Sequence, residues 1–218
     1  MRELRLVIFD CDGVLVDSEA ISNGVLAEML SAEGLPTTLA QARRDFQGLL
    51  LDEVAARVEA KLGRPLPAGW LEAYESRRAG SFRRELQPVA GAAATVRRVT
   101  AAGIVVCVAS QGRLAKTQLT LGLTGLLDLF APDALFSAES VARPKPFPDL
   151  FLHAARAMGY EPSACAVVED SPSGVAGARA AGMRAIGYAA DSDAQALRAA
   201  GAQTLGSLER LPALLAID

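Results

Sequence analysis

Residues 4–18 read Leu-Arg-Leu-Val-Ile-Phe-Asp-Cys-Asp-Gly-Val-Leu-Val-Asp-Ser, an apolar run that stops at Asp10 and is followed by a second carboxylate at Asp12. Such a run is typical of a buried β-strand. Two aspartates at a strand end repel each other unless a cation or a shared proton lies between them. Gly13 allows the backbone to turn sharply behind them. The stretch predicts either a divalent-metal site or an acidic turn, and the downstream chain has to decide between them.

The composition bounds the class of protein. With 218 residues, of which 51% are hydrophobic, the chain suits one large domain or a core with a small accessory domain. The formal net charge is −3 and the basic residues are scattered, so no basic patch for nucleic acid is expected. No apolar run has the length of a bilayer span and no signal-peptide pattern precedes the first strand. We therefore expect a cytoplasmic protein without a membrane partner.

Cysteine and histidine usage narrows the chemistry further. Cys11, Cys107 and Cys165 lie in or beside apolar runs, which predicts buried thiols and no disulfide framework. A Ser-His-Asp triad or a multi-histidine zinc site would depend on His153 alone, since the chain has one histidine. His153 falls in a predicted helix, and we expect it to be structural.

The residues after the first strand change in character. Apolar runs give way to amphipathic segments typical of helices, separated by Gly/Pro-containing stretches; the segments are residues 20–33, 52–62 and 70–84. We predict a small all-helical domain over residues 19–85. Residues 1–18 and 86–218 then form the other domain.

An alternation of strands and helices follows this insertion. The predicted strands lie in residues 103–110, 133–137, 165–170 and 183–188. They are apolar throughout, which is typical of a doubly wound α/β fold with a parallel sheet covered on both faces. Ligands bind at the carboxyl ends of such strands. Asp10, Ser110 and the Glu169-Asp170 pair should therefore converge on one site.

A lysine-bearing loop lies between two of these strands. Arg143-Pro-Lys145-Pro146 has two prolines that restrict the backbone and present Lys145 just before a predicted helix. An ammonium group in such a loop can neutralise a phosphate. Ser171 and Pro172 predict a helix that begins directly after the acidic pair.

These features, in this order, resemble the motifs of the haloacid dehalogenase superfamily, in particular its capped sugar-phosphate phosphatases. The segment from Asp10 to Ser18 resembles the first motif, Ser110 the second, Lys145 the third and the acidic pair the fourth. The resemblance covers essentially the whole chain. It implies a Rossmann-like core, with the helical insertion as a cap, and a Mg²⁺-dependent phosphatase acting on a small phosphorylated metabolite.

The resemblance also implies residue roles. Asp10 would form an aspartyl phosphate, Asp12 would transfer protons, and Ser110 and Lys145 would hold phosphoryl oxygens. The implied Mg²⁺ ligands are Asp10, the backbone carbonyl of Asp12, Glu169 (directly or through water) and Asp170. Substrate contacts are predicted for Ser110, Gln111, Arg113, Lys116 and Lys145 in the core, and for Ser22 and Gly48 in the cap. We expect a monomer or a weak homodimer.

The subfamily is predicted from the cap. Ser22 and Leu51 stand where we expect a histidine and an arginine in β-phosphoglucomutases, and both departures favour a phosphatase. The first motif, the cap loop around Gly48 and the run Leu135-Phe-Ser137 are most similar to phosphatases of 6-phosphogluconate and of related sugar or polyol phosphates. A mutase remains the main alternative.

Three further alternatives remain. Cys107 and Arg113 have the Cys-x₅-Arg spacing of thiolate-dependent phosphatases, although Cys107 lies inside a predicted strand. A dehalogenase of the same fold would need neither Asp12 nor the acidic pair. A catalytically silent member is disfavoured because no motif residue is replaced.

Overall fold

Strand β1, Leu6–Phe9, lies inside a six-stranded parallel sheet in the computed structural model, which describes residues 3–217. The strand order is β3-β2-β1-β4-β5-β6. The other strands are β2 Val105–Ser110, β3 Leu135–Ser137, β4 Cys165–Glu169, β5 Arg184–Tyr188 and β6 Gln203–Leu205. All four residues of β1 are fully buried, as expected for a strand covered on both faces.

The sheet register aligns the ends of three strands. Phe9 is paired with Val108 of β2 on one side and with Val168 of β4 on the other. The next residue, Asp10, still donates its backbone N–H to the Val168 carbonyl at 2.9 Å. Because parallel strands end at the same edge, the residues that follow β1, β2 and β4 are neighbours there.

Helices from residues 88–218 flank the sheet. They are α5 Ala92–Ala101, α6 Leu114–Leu123, α7 Asp149–Ala157, α8 Pro172–Ala180, α9 Ala194–Ala199 and α10 Leu211–Leu214. Short 3₁₀ helices cover Leu127–Leu129, Ala138–Ser140, Pro162–Ala164 and Leu208–Arg210. The predicted doubly wound α/β fold is confirmed.

Residues Asp17–Gln87 form a second compact unit, while Met1–Val16 and Pro88–Asp218, as far as they are described, form the first. The second unit contains α1 Glu19–Ala32, α2 Leu39–Phe46, α3 Leu51–Leu62 and α4 Trp70–Glu85. Its core includes Leu30 and Val58, with the rings of Trp70 and Tyr74 stacked at 6.2 Å. A role for this unit as a cap remains a prediction.

The sequence patterns did not predict several elements, among them β6 and α2. Strand β6 begins with Gln203-Thr204 and pairs with β5 at the sheet edge, so it lacks the apolar run of the inner strands. Helix α2 is fixed by a capping box in which Thr38 and Gln41 satisfy each other's backbone N–H groups. Within residues 3–217, no helix combines the length and the hydropathy needed to span a bilayer.

Candidate active site

A buried lysine joins two buried carboxylates at the carboxyl edge of the sheet. Lys145 Nζ donates to Asp10 Oδ1 and to Glu169 Oε1, each at 2.6 Å, and to the Ala109 carbonyl at 3.1 Å. The exposed fractions are only 6% for Asp10, 8% for Lys145 and 1% for Glu169. Charges buried this deeply persist only where each has a partner. Asp10 and Glu169, two of the residues whose convergence the sequence predicts, thus meet in the structure, with the Lys145 ammonium bonded to both.

The loop that carries Lys145 is anchored on both sides of the lysine. The Lys145 backbone N–H donates to Gln111 Oε1 at 3.2 Å, which ties the loop to the residue after β2. Arg143 makes two bonds to the Asp149 carboxylate at the start of α7, at 3.0 and 2.9 Å. The Lys145–Pro146 peptide bond is cis. Gln111 thus positions the lysine through its backbone.

Burial and charge act in opposite directions on this cluster. Burial raises the pKa of Asp10, the positive charge of Lys145 offsets part of this rise, and the neighbouring Glu169 and Asp12 add to it; the resulting pKa is about 7. Burial alone would lower the pKa of Lys145, but the Asp10 and Glu169 carboxylates raise it above its ordinary value. Lys145 is therefore a permanent positive charge at neutral pH.

Glu169 is held by the beginning of helix α8. Ser171 donates its backbone N–H at 3.1 Å and its hydroxyl at 2.8 Å to Glu169 Oε2, and its Oγ accepts the Gly174 N–H at 3.1 Å as the helix cap. A Cβ on Gly174 would lie 1.9 Å from the Glu169 carboxyl carbon. The glycine is thus required for the carboxylate to lie against this helix end.

Three carboxylates could share a metal ion. Asp10, Glu169 and Asp170 each offer an oxygen, and these oxygens lie within 4.8 Å of one another. Gly13 lies in the loop after β1 with φ +73°. This loop is so close to Asp170 that a Cβ on Gly13 would lie 2.3 Å from Asp170 Oδ2. Hard oxygen donors of this kind suit Mg²⁺ or another hard divalent cation. The donor set therefore fits the metal that the sequence predicts.

The end of β2 forms the other side of the site. Ser110 is buried and its Oγ accepts the Gly112 N–H at 3.1 Å. Lys116, in the first turn of α6, extends back to bond Asp12 Oδ1 through its Nζ. The structure therefore brings Asp12, Ser110 and Lys116 together, although the sequence predicted Lys116 only as a substrate contact.

The remaining predicted contacts are Arg113 in the core unit and Ser22 and Gly48 in the helical unit. Arg113 has an exposed side chain whose Nε lies 3.9 Å from Glu139 Oε1. Ser22 and Gly48 belong to the helical unit; the Ser22 carbonyl accepts a bond from the Tyr74 hydroxyl at 3.3 Å, and Gly48 is exposed with φ +78°. Substrate binding by these three residues remains a prediction.

Sequence reasoning missed the support for the loop after Ser110. Ser137, at the end of β3, donates its hydroxyl to the Gly112 carbonyl at 2.8 Å, and Glu139 Oε2 accepts the Leu114 N–H at 2.9 Å. The sequence did contain a signal for Ser137, because Ser137 ends a predicted strand, as Ser110 does, and parallel strands end at the same edge of a sheet.

The thiolate alternative finds no support in the geometry. Cys107 lies inside β2, opposite Ile8, and is fully buried. Burial, and to a lesser extent the neighbouring Cys165, raises the pKa of the Cys107 thiol above its ordinary value. An un-ionised thiol inside a strand ladder is neither nucleophilic nor accessible. His153 packs edge-on against Phe136 with ring centroids 5.5 Å apart, which agrees with a structural role.

Comparison with known proteins decides the family. The family model of haloacid dehalogenase-like hydrolases matches residues 4–182. The chain is a haloacid dehalogenase-like hydrolase. This hydrolase is 34% identical over 215 residues to 6-phosphogluconate phosphatase of Escherichia coli strain K12, with 98% of the chain and 96% of that relative covered. Its identity to hexitol phosphatase B of the same strain is 31% over 189 residues, with 85% and 83% covered.

A solved structure extends the comparison to three dimensions. The hydrolase matches a HAD family hydrolase from Deinococcus radiodurans R1, solved with bound phosphate and sodium, with a TM-score of 0.80 at 33% identity. The match covers 98% of this chain and 95% of that one. Family membership, fold class and the assignment as an enzyme are thereby confirmed.

Proposed function

We propose that this hydrolase is a Mg²⁺-dependent phosphatase that removes phosphate from a sugar, sugar-acid or polyol phosphate through an aspartyl phosphate on Asp10. The observation that carries the proposal is the buried Asp10 carboxylate, held by Lys145 within reach of the Glu169-Asp170 acidic cluster. We further propose that the enzyme acts in the cytoplasm as a monomer or a weak homodimer.

The proposed reaction has two displacements at phosphorus. In the first, an Asp10 oxygen bonds to phosphorus while the ester P–O bond breaks, and Asp12 gives a proton to the departing oxygen. In the second, a water oxygen bonds to phosphorus, Asp12 takes a proton from that water, and the bond between Asp10 and phosphorus breaks. Inorganic phosphate leaves and both aspartates return to their starting forms.

The remaining residues supply charge and position. Lys145 holds Asp10 by Oδ1 and places a positive charge beside the entering phosphoryl group. Ser110, buried at the end of β2, is proposed as a donor to a phosphoryl oxygen. Asp10, Glu169, Asp170 and the Asp12 carbonyl would hold Mg²⁺, which when bound neutralises phosphoryl charge and allows the dianion to approach a carboxylate.

The substrate class is supported by the relatives, which are named for 6-phosphogluconate and for hexitol phosphates. The helical unit contains a cavity of about 390 Å³ between α1 and α4. Its lining includes Arg77, which pairs with Glu28 at 3.2 Å, and Arg84, which donates to Ser81 Oγ at 2.9 Å. We propose that this unit selects the carbon chain of the substrate.

Asp10→Asn tests the nucleophile. The amide is nearly isosteric and keeps an oxygen for Lys145, but it cannot form the same acyl phosphate, so phosphate release from 6-phosphogluconate should fall by about 10³-fold or more with the fold retained. Phosphate release and circular dichroism are measured together. Asp128→Asn, which neutralises an exposed aspartate on a short 3₁₀ helix, is the matched control. Full activity in Asp10→Asn would rule out the mechanism.

A further inference from the structure

The contact between Lys116 and Asp12 is enclosed within the site. Lys116 Nζ bonds Asp12 Oδ1, and the exposed fractions of the two side chains are 9% and 21%. A long lysine side chain that extended into solvent would be far more exposed. Holding a lysine this way costs side-chain entropy, which the ion pair has to offset. The bond to Oδ1 favours one particular arrangement of the Asp12 carboxylate.

Gly112 shows how closely the surrounding groups approach one another. A Cβ built on Gly112 would lie 3.3 Å from Lys116 Cδ, 3.4 Å from Ser110 Oγ and 3.7 Å from Asp12 Oδ2. The lysine stem, the serine hydroxyl and the second aspartate oxygen therefore line one small space. Lys116 holds Asp12 by Oδ1, and Oδ2 lies on the side of Gly112 and Ser110.

We propose that Lys116 is a positioning residue for Asp12. By holding Oδ1, it directs Oδ2 toward the water that attacks the aspartyl phosphate, so that the water proton passes to Asp12 as the bond between Asp10 and phosphorus breaks. The inference rests on the proposed function, because it assigns a partner to Asp12 in the second displacement. It differs from the prediction that Lys116 binds substrate directly.

The second displacement can be isolated with p-nitrophenyl phosphate. Its leaving group departs as a stable phenolate and needs no proton from Asp12, which can release its proton to solvent. Hydrolysis of the aspartyl phosphate still needs the Asp12 carboxylate to take a proton from the attacking water. Lys116→Met removes the ion pair that holds Oδ1, so the Asp12 carboxylate loses this constraint on its orientation. The phosphorylated enzyme should then accumulate.

The test compares Lys116→Met with the wild type by rapid mixing with p-nitrophenyl phosphate and excess Mg²⁺. We expect a burst of one equivalent of nitrophenolate per site at close to the wild-type rate, followed by a steady-state kcat about 10- to 100-fold lower. The inhibition constant of inorganic phosphate should stay within about threefold, since no phosphate ligand has been removed. Arg156→Met, which removes an exposed cation from α7, should behave as the wild type.

A double-mutant cycle tests whether Lys116 acts through Asp12. In an Asp12→Asn background, Lys116→Met should lower kcat less than about twofold further. Lys116→Arg should restore part of the lost kcat because arginine keeps the positive charge. If thermal unfolding shows that Lys116→Met is not folded, Lys116→Arg replaces it in the comparison.

Three results would overturn the inference. The first is a raised KM and a raised phosphate inhibition constant in Lys116→Met without a burst. The second is an effect of Lys116→Met that is as large in the Asp12→Asn background as in the wild type. The third is an unchanged kcat in Lys116→Met. Failure of the underlying proposal looks different: the wild type would release no phosphate, or Asp12→Asn alone would be fully active.

Discussion

In the absence of a divalent cation, the surroundings of Asp10 on balance oppose its ionisation. Burial, Glu169 and Asp12 raise its pKa and Lys145, 2.6 Å away, lowers it, so that the net pKa is about 7. Asp10 thus needs a cation in addition to Lys145 to be fully ionised at neutral pH. This is the physical reason to couple metal binding to proton release at this residue.

Stability should report this coupling. The Asp10 pKa is 3.8 in the unfolded reference and about 7 in the folded protein, so the folded state binds more protons between these values and metal-free stability falls as pH rises through them. Mg²⁺ competes with that proton, and its stabilisation should be larger at pH 8 than at pH 5.5. At 100 times its dissociation constant Mg²⁺ adds about 2.7 kcal/mol, or about 5 to 10 °C in a chain of this size.

The measurement is Tm in EDTA and in Mg²⁺ at both pH values. Asp10→Asn is the control, since it has no proton to release at this position and should show a smaller difference between the two pH values. An equal Mg²⁺ effect at pH 5.5 and pH 8 in the wild type would contradict the coupling.

Individual residues differed in how well the sequence revealed them. Asp10, Ser110 and Glu169 could be predicted because each ends a strand, and parallel strands bring their ends to one edge. The contact of Lys116 with Asp12 could not, because a lysine early in a helix usually faces solvent and its direction depends on the helix packing. The requirement for glycine at position 174 could not be predicted either, because it arises from the Glu169 side chain, which belongs to another element.

At the scale of elements, the junction of β4 and α8 is the most constrained part of the site. Glu169 ends the strand, Ser171 caps the helix, and Gly174 leaves the space that the Glu169 carboxylate fills. A single helix start therefore both positions the carboxylate and satisfies its own N–H groups.

Gly174→Ala tests this junction. A Cβ placed 1.9 Å from the Glu169 carboxyl carbon forces the carboxylate or the helix to move, so we expect at least a tenfold loss of Mg²⁺ affinity, on the order of 1.4 kcal/mol, and about 1 to 3 kcal/mol lower stability. Mg²⁺ titration and urea unfolding measure the two effects. Gly206→Ala is the matched control because its Cβ would meet open space; wild-type Mg²⁺ affinity in Gly174→Ala would contradict the account.

Elements were predictable where a hydrophobic pattern was strong. The inner strands are continuous apolar runs, whereas β6 starts with polar residues and owes its strand conformation to pairing with β5. Helix α2 is short and largely polar, with its buried residues Ala42 and Phe46 four positions apart, and a capping box marks its start.

At the scale of the whole molecule, the strand order accounts for the site. With β1 between β2 and β4, Asp10 meets motif residues that follow it by about a hundred positions or more at one edge of the sheet. The α/β class followed from the alternation of strands and helices, but the order of the strands depends on packing that the sequence pattern does not contain. The family comparison fixes the class of enzyme, whereas selection of the substrate by the helical unit is a proposal.

The most direct test is phosphate release from a panel of sugar, sugar-acid and polyol phosphates, with Mg²⁺ and with EDTA, beside an assay for conversion of glucose 1-phosphate to glucose 6-phosphate. We predict Mg²⁺-dependent release, fastest with 6-phosphogluconate or a polyol phosphate, and no isomerisation. Isomerisation without net phosphate release, or release that EDTA leaves unchanged, would contradict the account.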